Sequence, residues 1–161
     1  MSVTPKLSEL LAAYYGVQVT GGAKTLPATT TGHLFTVSGG RVLVTSLTGV
    51  VTTAIQAQAC TVSLGVTPTG GSAGNAALAT ATSVNGAAVG QNVSMPALSA
   101  ASAPQALVVS ALALAIPFNP GGIALVGAGT IDWTTSATNT GAVTWSLTYI
   151  PYDAGAAVTA L

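Results

Sequence analysis

Near its C-terminus the chain alternates apolar and polar residues with a period of two: Val143, Trp145, Leu147 and Tyr149 are interleaved with Thr144, Ser146 and Thr148. Successive side chains of an extended strand point to opposite faces, so this run predicts a strand with one face for a core and one face of hydroxyls. A second run, Gly129 to Thr135, repeats the pattern with Ile131 and Trp133 set among Thr130, Asp132 and Thr134. With residues 137–141 as the connecting loop, the two runs are expected to pair as a hairpin. Trp133, Trp145, Leu147 and Tyr149 are its expected core anchors.

Upstream, short runs rich in β-branched residues recur at 33–38, 41–48, 50–57, 60–67, 77–84, 106–116 and 122–126, parted by turn signals at a spacing of roughly 8 to 12 residues. Gly39-Gly40 sits between the first two as a hairpin turn would, because both positions tolerate positive φ. The longest apolar stretch, Ala106 to Ile116 between Pro104 and Pro117, is well short of the roughly 20 residues that cross a bilayer as a helix, and reads as a buried strand. Residues 69–104 are built of small side chains, which predicts weak strands and long loops able to pack closely on a neighbour. The expected fold is all-β, a single domain built as a sandwich or barrel.

The first 31 residues follow no strand period. Ser8 to Tyr15 could form two helical turns with Leu7, Leu10, Leu11 and Tyr14 on one face and Gly16 as the stop. So short a helix needs a surface to lie on, which makes those four residues the candidate docking contacts. Residues 21–32 have neither helix formers nor alternation and are expected to run as an extended arm or loop. The domain reading is therefore an arm over 1–31 and a sandwich body over 32–161.

Composition changes the picture at this point. Only 4% of the 161 residues are charged while 50% are hydrophobic, and the charges are Lys6, Glu9, Lys24, Arg41, Asp132 and Asp153. A small soluble domain ordinarily carries charge on about a quarter of its residues. With net charge zero and pI near 6.5, nothing electrostatic keeps copies apart. The chain is expected to be oligomeric and packed in an assembly.

Chemistry-bearing residues are too sparse for most catalytic schemes. His33 and Asp132 with a serine could be drawn as a triad, but no nucleophile elbow marks the serine, and His33 reads as a half-exposed strand residue. Cys60 alone permits no internal disulfide and reads as a buried thiol; no Cys/His spacing suggests a metal site. The expected protein has no cofactor and is not an enzyme. Three dispersed basic residues do not make a nucleic-acid surface, and no membrane partner is expected. Aromatics at 133, 145, 149 and 152 could form a sugar platform, though their alternation on strands favours a core. No basic segment followed by an apolar stretch marks an export signal.

Leu34 to Thr45, Gly49 to Gln56, Gly129 to Asp132 and Thr138 to Ala156 resemble, over about half of the chain, the virion proteins of tailed bacteriophages, small β-rich proteins of the capsid exterior of the decoration or cement type. The resemblance implies an all-β, single-domain, jelly-roll-like β-sandwich that assembles as a homotrimer, is made in the host cytoplasm, binds the phage major capsid protein on the capsid surface and clamps shell subunits together. Many small contacts on a repeating lattice gain by multivalency. The alternative function is a head-fibre or tail-associated receptor-binding module that recognises host surface glycans through exposed aromatics near 133–152.

Overall fold

The computed structural model describes residues 14–69, 76–94, 113–116 and 123–161. They form eleven strands: β1 (Val17–Thr25), β2 (Thr31–Ser38), β3 (Val42–Thr53), β4 (Thr61–Pro68), β5 (Ala76–Ser83), β6 (Asn92–Ser94), β7 (Ala113–Ile116), β8 (Ile123–Val126), β9 (Gly129–Thr135), β10 (Ala142–Pro151) and β11 (Ala157–Ala160). One sheet has the order β1-β10-β3-β8-β7, with β6 also paired to β3; the other has the order β11-β2-β9-β4-β5. Every pairing is antiparallel. The protein is an all-β sandwich, and the alternation of its sequence is the reason. Each long strand buries one row between the sheets and turns the other outward.

The core lies where those inner rows meet. Phe35 and Val37 of β2, Val44 and Val51 of β3, Val66 of β4, Ile131 and Trp133 of β9, and Trp145 and Leu147 of β10 are all buried. Two glycines make room for the two indoles. A Cβ at Gly49 would lie 3.1 Å from the Trp145 ring and 2.6 Å from Val143 Cγ1, and one at Gly32 would lie 2.5 Å from Trp133 Nε1.

Four expectations change. β9 and β10 are not a hairpin: β9 pairs with β2 and β4, and β10 pairs with β1 and β3, so the two strands belong to opposite sheets. Their apolar rows face each other across the core, which alternation alone cannot distinguish from pairing side by side. The connection over 136–141 crosses between the sheets, where the Asn139 amide donates to the carbonyl oxygens of Gln56 (3.3 Å) and Gln58 (3.5 Å). Gly39-Gly40 likewise joins β2 of one sheet to β3 of the other. Both have positive φ, 71° and 140°, but they pack against residues 153–155 instead of closing a hairpin.

The third change concerns the arm. Residues 17–25 are an edge strand of the body, paired with β10 from Val17↔Tyr149 to Thr25↔Ala142. A register shift between Thr20 and Ala23 breaks the period there and sets Lys24 opposite Val143; a bulge and a charge both guard an exposed edge against stray pairing. The stretches at 41–48 and 50–57 form one strand, β3, that ends at Thr53. Apart from Tyr14 and Tyr15, the expected helix over 8–15 lies outside the described residues, as do 70–75, 95–104 and 106–112.

Candidate functional site

The outer face of the β2-β9-β4 sheet holds the densest polar arrangement. Its cross-strand partners form rows of hydroxyl residues: Thr159, Thr36, Thr130 and Thr67 in one, and Thr31, Thr134 and Ser63 in another. Between those rows lies Asp132, only 1% exposed although its strand position points away from the core. Its register partners are His33 and Gly65. His33 Nδ1 lies 2.7 Å from Asp132 Oδ1, while Thr67 and Thr130 donate to Oδ2 at 2.5 and 3.1 Å.

This is a carboxylate clamped by three strands. Catalysis by a hydroxyl nucleophile needs the hydroxyl against the imidazole with the carboxylate behind it. Here the threonine hydroxyls point at the carboxylate, and His33, with a side chain 57% exposed, stands on an open sheet face. The arrangement ties β2, β9 and β4 in register: burying a charge is tolerated when its lone pairs are filled.

The outer face of the other sheet repeats the theme without a charge. Thr20, Ser146 and Thr48 form one cross-strand row and Gln18, Thr148 and Ser46 the next. The Thr20 and Ser146 hydroxyls are 2.9 Å apart, and Thr45 donates to the Thr148 carbonyl at 3.1 Å. Neighbouring hydroxyls of this kind satisfy one another, so a polar exterior exists without lysine or glutamate.

At one end of the sandwich the turn after β2 is fastened to the turn after β10. Asp153 accepts from Arg41 Nε, Nη2 and backbone N–H, each at 2.8 Å, and the guanidinium carbon stands 4.7 Å from the centre of the Tyr152 ring. The Arg41 side-chain hydrogen bonds, followed by its backbone N–H, hold the Asp153 carboxyl at about 2, below its ordinary 3.8. The same contact raises the Arg41 guanidinium. A Cβ at Gly39 would lie 2.2 Å from the Gly155 carbonyl oxygen, which shows how closely the two turns fit.

Of the candidate docking residues, Leu7, Leu10 and Leu11 lie outside the described residues, and Tyr14 is 80% exposed. Trp133, Trp145, Leu147 and Tyr149 are buried, Tyr152 is exposed, and Cys60 is a buried free thiol. Among the described residues no three of His, Cys, Asp and Glu gather as a metal site would require. Sequence reading missed the Arg41–Asp153 clamp. Its signal is two of the scarce charges set in glycine-bearing turns, Gly39-Gly40-Arg41 and Asp153-Ala154-Gly155.

No family model matches this chain, and neither does any curated protein or solved structure.

Proposed function

We propose that this protein is a structural component of a phage virion, a decoration or cement protein that binds the outside of the head as an oligomer and stabilises it. The observation that carries the reading is the make-up of the exterior. Both outer sheet faces are surfaced with threonine and serine, and Arg41, Asp153 and Asp132 are each committed to a partner within the chain. Charged residues are depleted where protein interfaces are most buried, because their hydration is costly to remove. A hydroxyl that already has a neighbour gives up less on being covered.

The winding supports the same reading. From β1 to β4 the chain alternates between sheets, β4 and β5 form a hairpin, and β8 to β10 alternate again. The late strands β10 and β9 insert between the early ones, giving β1-β10-β3-β8 facing β2-β9-β4-β5. We take this interleaving as that of a double-sheet jelly roll, an architecture used by viral capsid and lectin domains.

Purified protein added to undecorated heads should bind across the shell and raise its resistance to heat, because a ligand that binds only the intact lattice must stabilise it. Full binding with unchanged heat resistance would end the cement reading. The exposed Tyr152, at 56%, favours a receptor-binding module as the second reading. An image of the particle separates the two, since a cement protein covers the head evenly and an adhesin sits in few copies at the tail or vertices.

A further inference from the structure

The exposed aromatic rings among the described residues are Tyr14, Tyr15 and Tyr152, at 80%, 70% and 56%. All three belong to one end of the sandwich. Val17 is paired with Tyr149 in an antiparallel ladder, so residues just before β1 and just after β10 emerge together. Gly16, with φ of +82°, keeps the entering chain against β10: a Cβ there would lie 2.9 Å from both Thr148 Cγ2 and the Tyr149 carbonyl oxygen. The exposed apolar residues Val50 and Val89 lie towards the other end, Val50 opposite Thr144 of β10 and Val89 next to Gly90, whose N–H donates to the Val51 carbonyl.

Each ring has one neighbour of its own kind or a cation against it. Tyr14 and Tyr15 stack edge to face with centroids 4.9 Å apart, and Arg41 is pinned over Tyr152 by its bonds to Asp153. A side chain already held, as Arg41 is by Asp153, loses little freedom on binding, and tyrosine and arginine are the residue types that anchor protein interfaces. The patch also carries one cation and one anion, already joined. That matters for the identity of the partner, because a surface that meets its own copy near a symmetry axis places like charges together unless it is neutral.

We propose that this tyrosine end is the surface through which one copy of the chain binds a second copy. The proposal rests on the oligomeric reading above and goes beyond it by assigning the interface. A foreign protein would be met equally well by a patch of one sign, which would also steer the encounter.

The test is sedimentation velocity on the full chain at micromolar concentration, comparing wild type with Tyr14→Ser/Tyr15→Ser, Tyr152→Ser and, as a control on another surface, Val89→Ser. The wild type should sediment as an oligomer. Both tyrosine variants should associate at least about tenfold more weakly, in line with the loss of an interface anchor, and Val89→Ser should match wild type. Unchanged fluorescence from the buried tryptophans would show that the variants are folded. Tyr15→Cys should form a disulfide between copies on oxidation. Oligomers that persist unchanged in both tyrosine variants overturn the assigned surface and leave the oligomeric reading standing. A monomeric wild type overturns both, and if its tyrosines proved necessary for retention on dextran, the surface would belong to a glycan.

Discussion

Trp133 of β9 and Trp145 of β10 meet edge to face across the two sheets, with ring centroids 5.6 Å apart and planes inclined at 75°. One ring from each sheet therefore contributes to the same contact, and the pair joins the two layers at the centre of the core. Such pairs contribute about 0.5–1.5 kcal/mol beyond the area they bury. Among the described residues the Trp145 N–H finds no acceptor, which offsets part of that gain.

Trp145→Ala should lower the stability by about 3–5 kcal/mol, the range for emptying a large core site. Trp145→Phe should cost much less, since it keeps a ring and removes the unpaired donor. Thr144→Ser, on the outer face, should be nearly silent. Denaturant midpoints check all three, and comparable losses for Trp145→Ala and Thr144→Ser would show the strand facing the wrong way.

The glycines that admit the indoles make a second prediction. At Gly49 an added Cβ meets Val143 and the Trp145 ring at 2.6 and 3.1 Å, whereas at Gly22 it meets nothing within 4 Å. Gly49→Ala should cost about 1–3 kcal/mol as overpacking. Gly22→Ala should be neutral or gain up to about 1 kcal/mol by restricting the unfolded chain. Thermal melts of the two variants should move in opposite directions or differ clearly in size.

Asp132 supports a third. Its carboxylate receives Thr67, Thr130 and His33 from three strands, so Asp132→Ala removes these bonds from half-buried hydroxyls. A loss of roughly 2–3 kcal/mol is expected, with a smaller loss for Asp132→Asn, which keeps an acceptor. Amide exchange along β2 and β4 should quicken in Asp132→Ala more than along β1. Uniform quickening across both sheets would argue against a clamp local to β2, β9 and β4.

How legible was this in the sequence? Alternation located β10 and β9 because Trp145 and Trp133 lie in unbroken two-residue periods, and it showed which faces are buried. It could not show which strand lies beside which, since Trp145 reaches Trp133 equally well in pattern whether their strands pair or face each other. β1 was hidden for a different reason. Val17 and Val19 alternate with Gln18 and Thr20, but the bulge at Gly21-Gly22 resets the period before Lys24, leaving too short a signal. The Asp132 clamp depends on Thr67, distant in sequence and adjacent only once β4 pairs with β9, so no local spacing announces it.

The last prediction is a pH dependence located at Asp153. Its carboxyl is held at about 2 in the folded protein against an ordinary 3.8, first by the Arg41 side-chain hydrogen bonds and then by the Arg41 backbone N–H. A folded value below the unfolded one means that the native state prefers the ionised form, so the contribution to stability is complete above pH 3.8 and is lost as pH falls towards 2. Arg41, raised by the same contact, stays protonated throughout and does not alter the sign. Asp153→Asn keeps the side-chain shape and removes the charge, so wild type should melt higher than the variant above pH 4 and the gap should close as pH approaches about 2. Because the pair is exposed, with side chains at 50% and 34%, added salt should narrow the gap at neutral pH as well. A gap that stays constant into acid, or widens, would mean that the clamp acts through the shape of the two turns and not through the charge on Asp153.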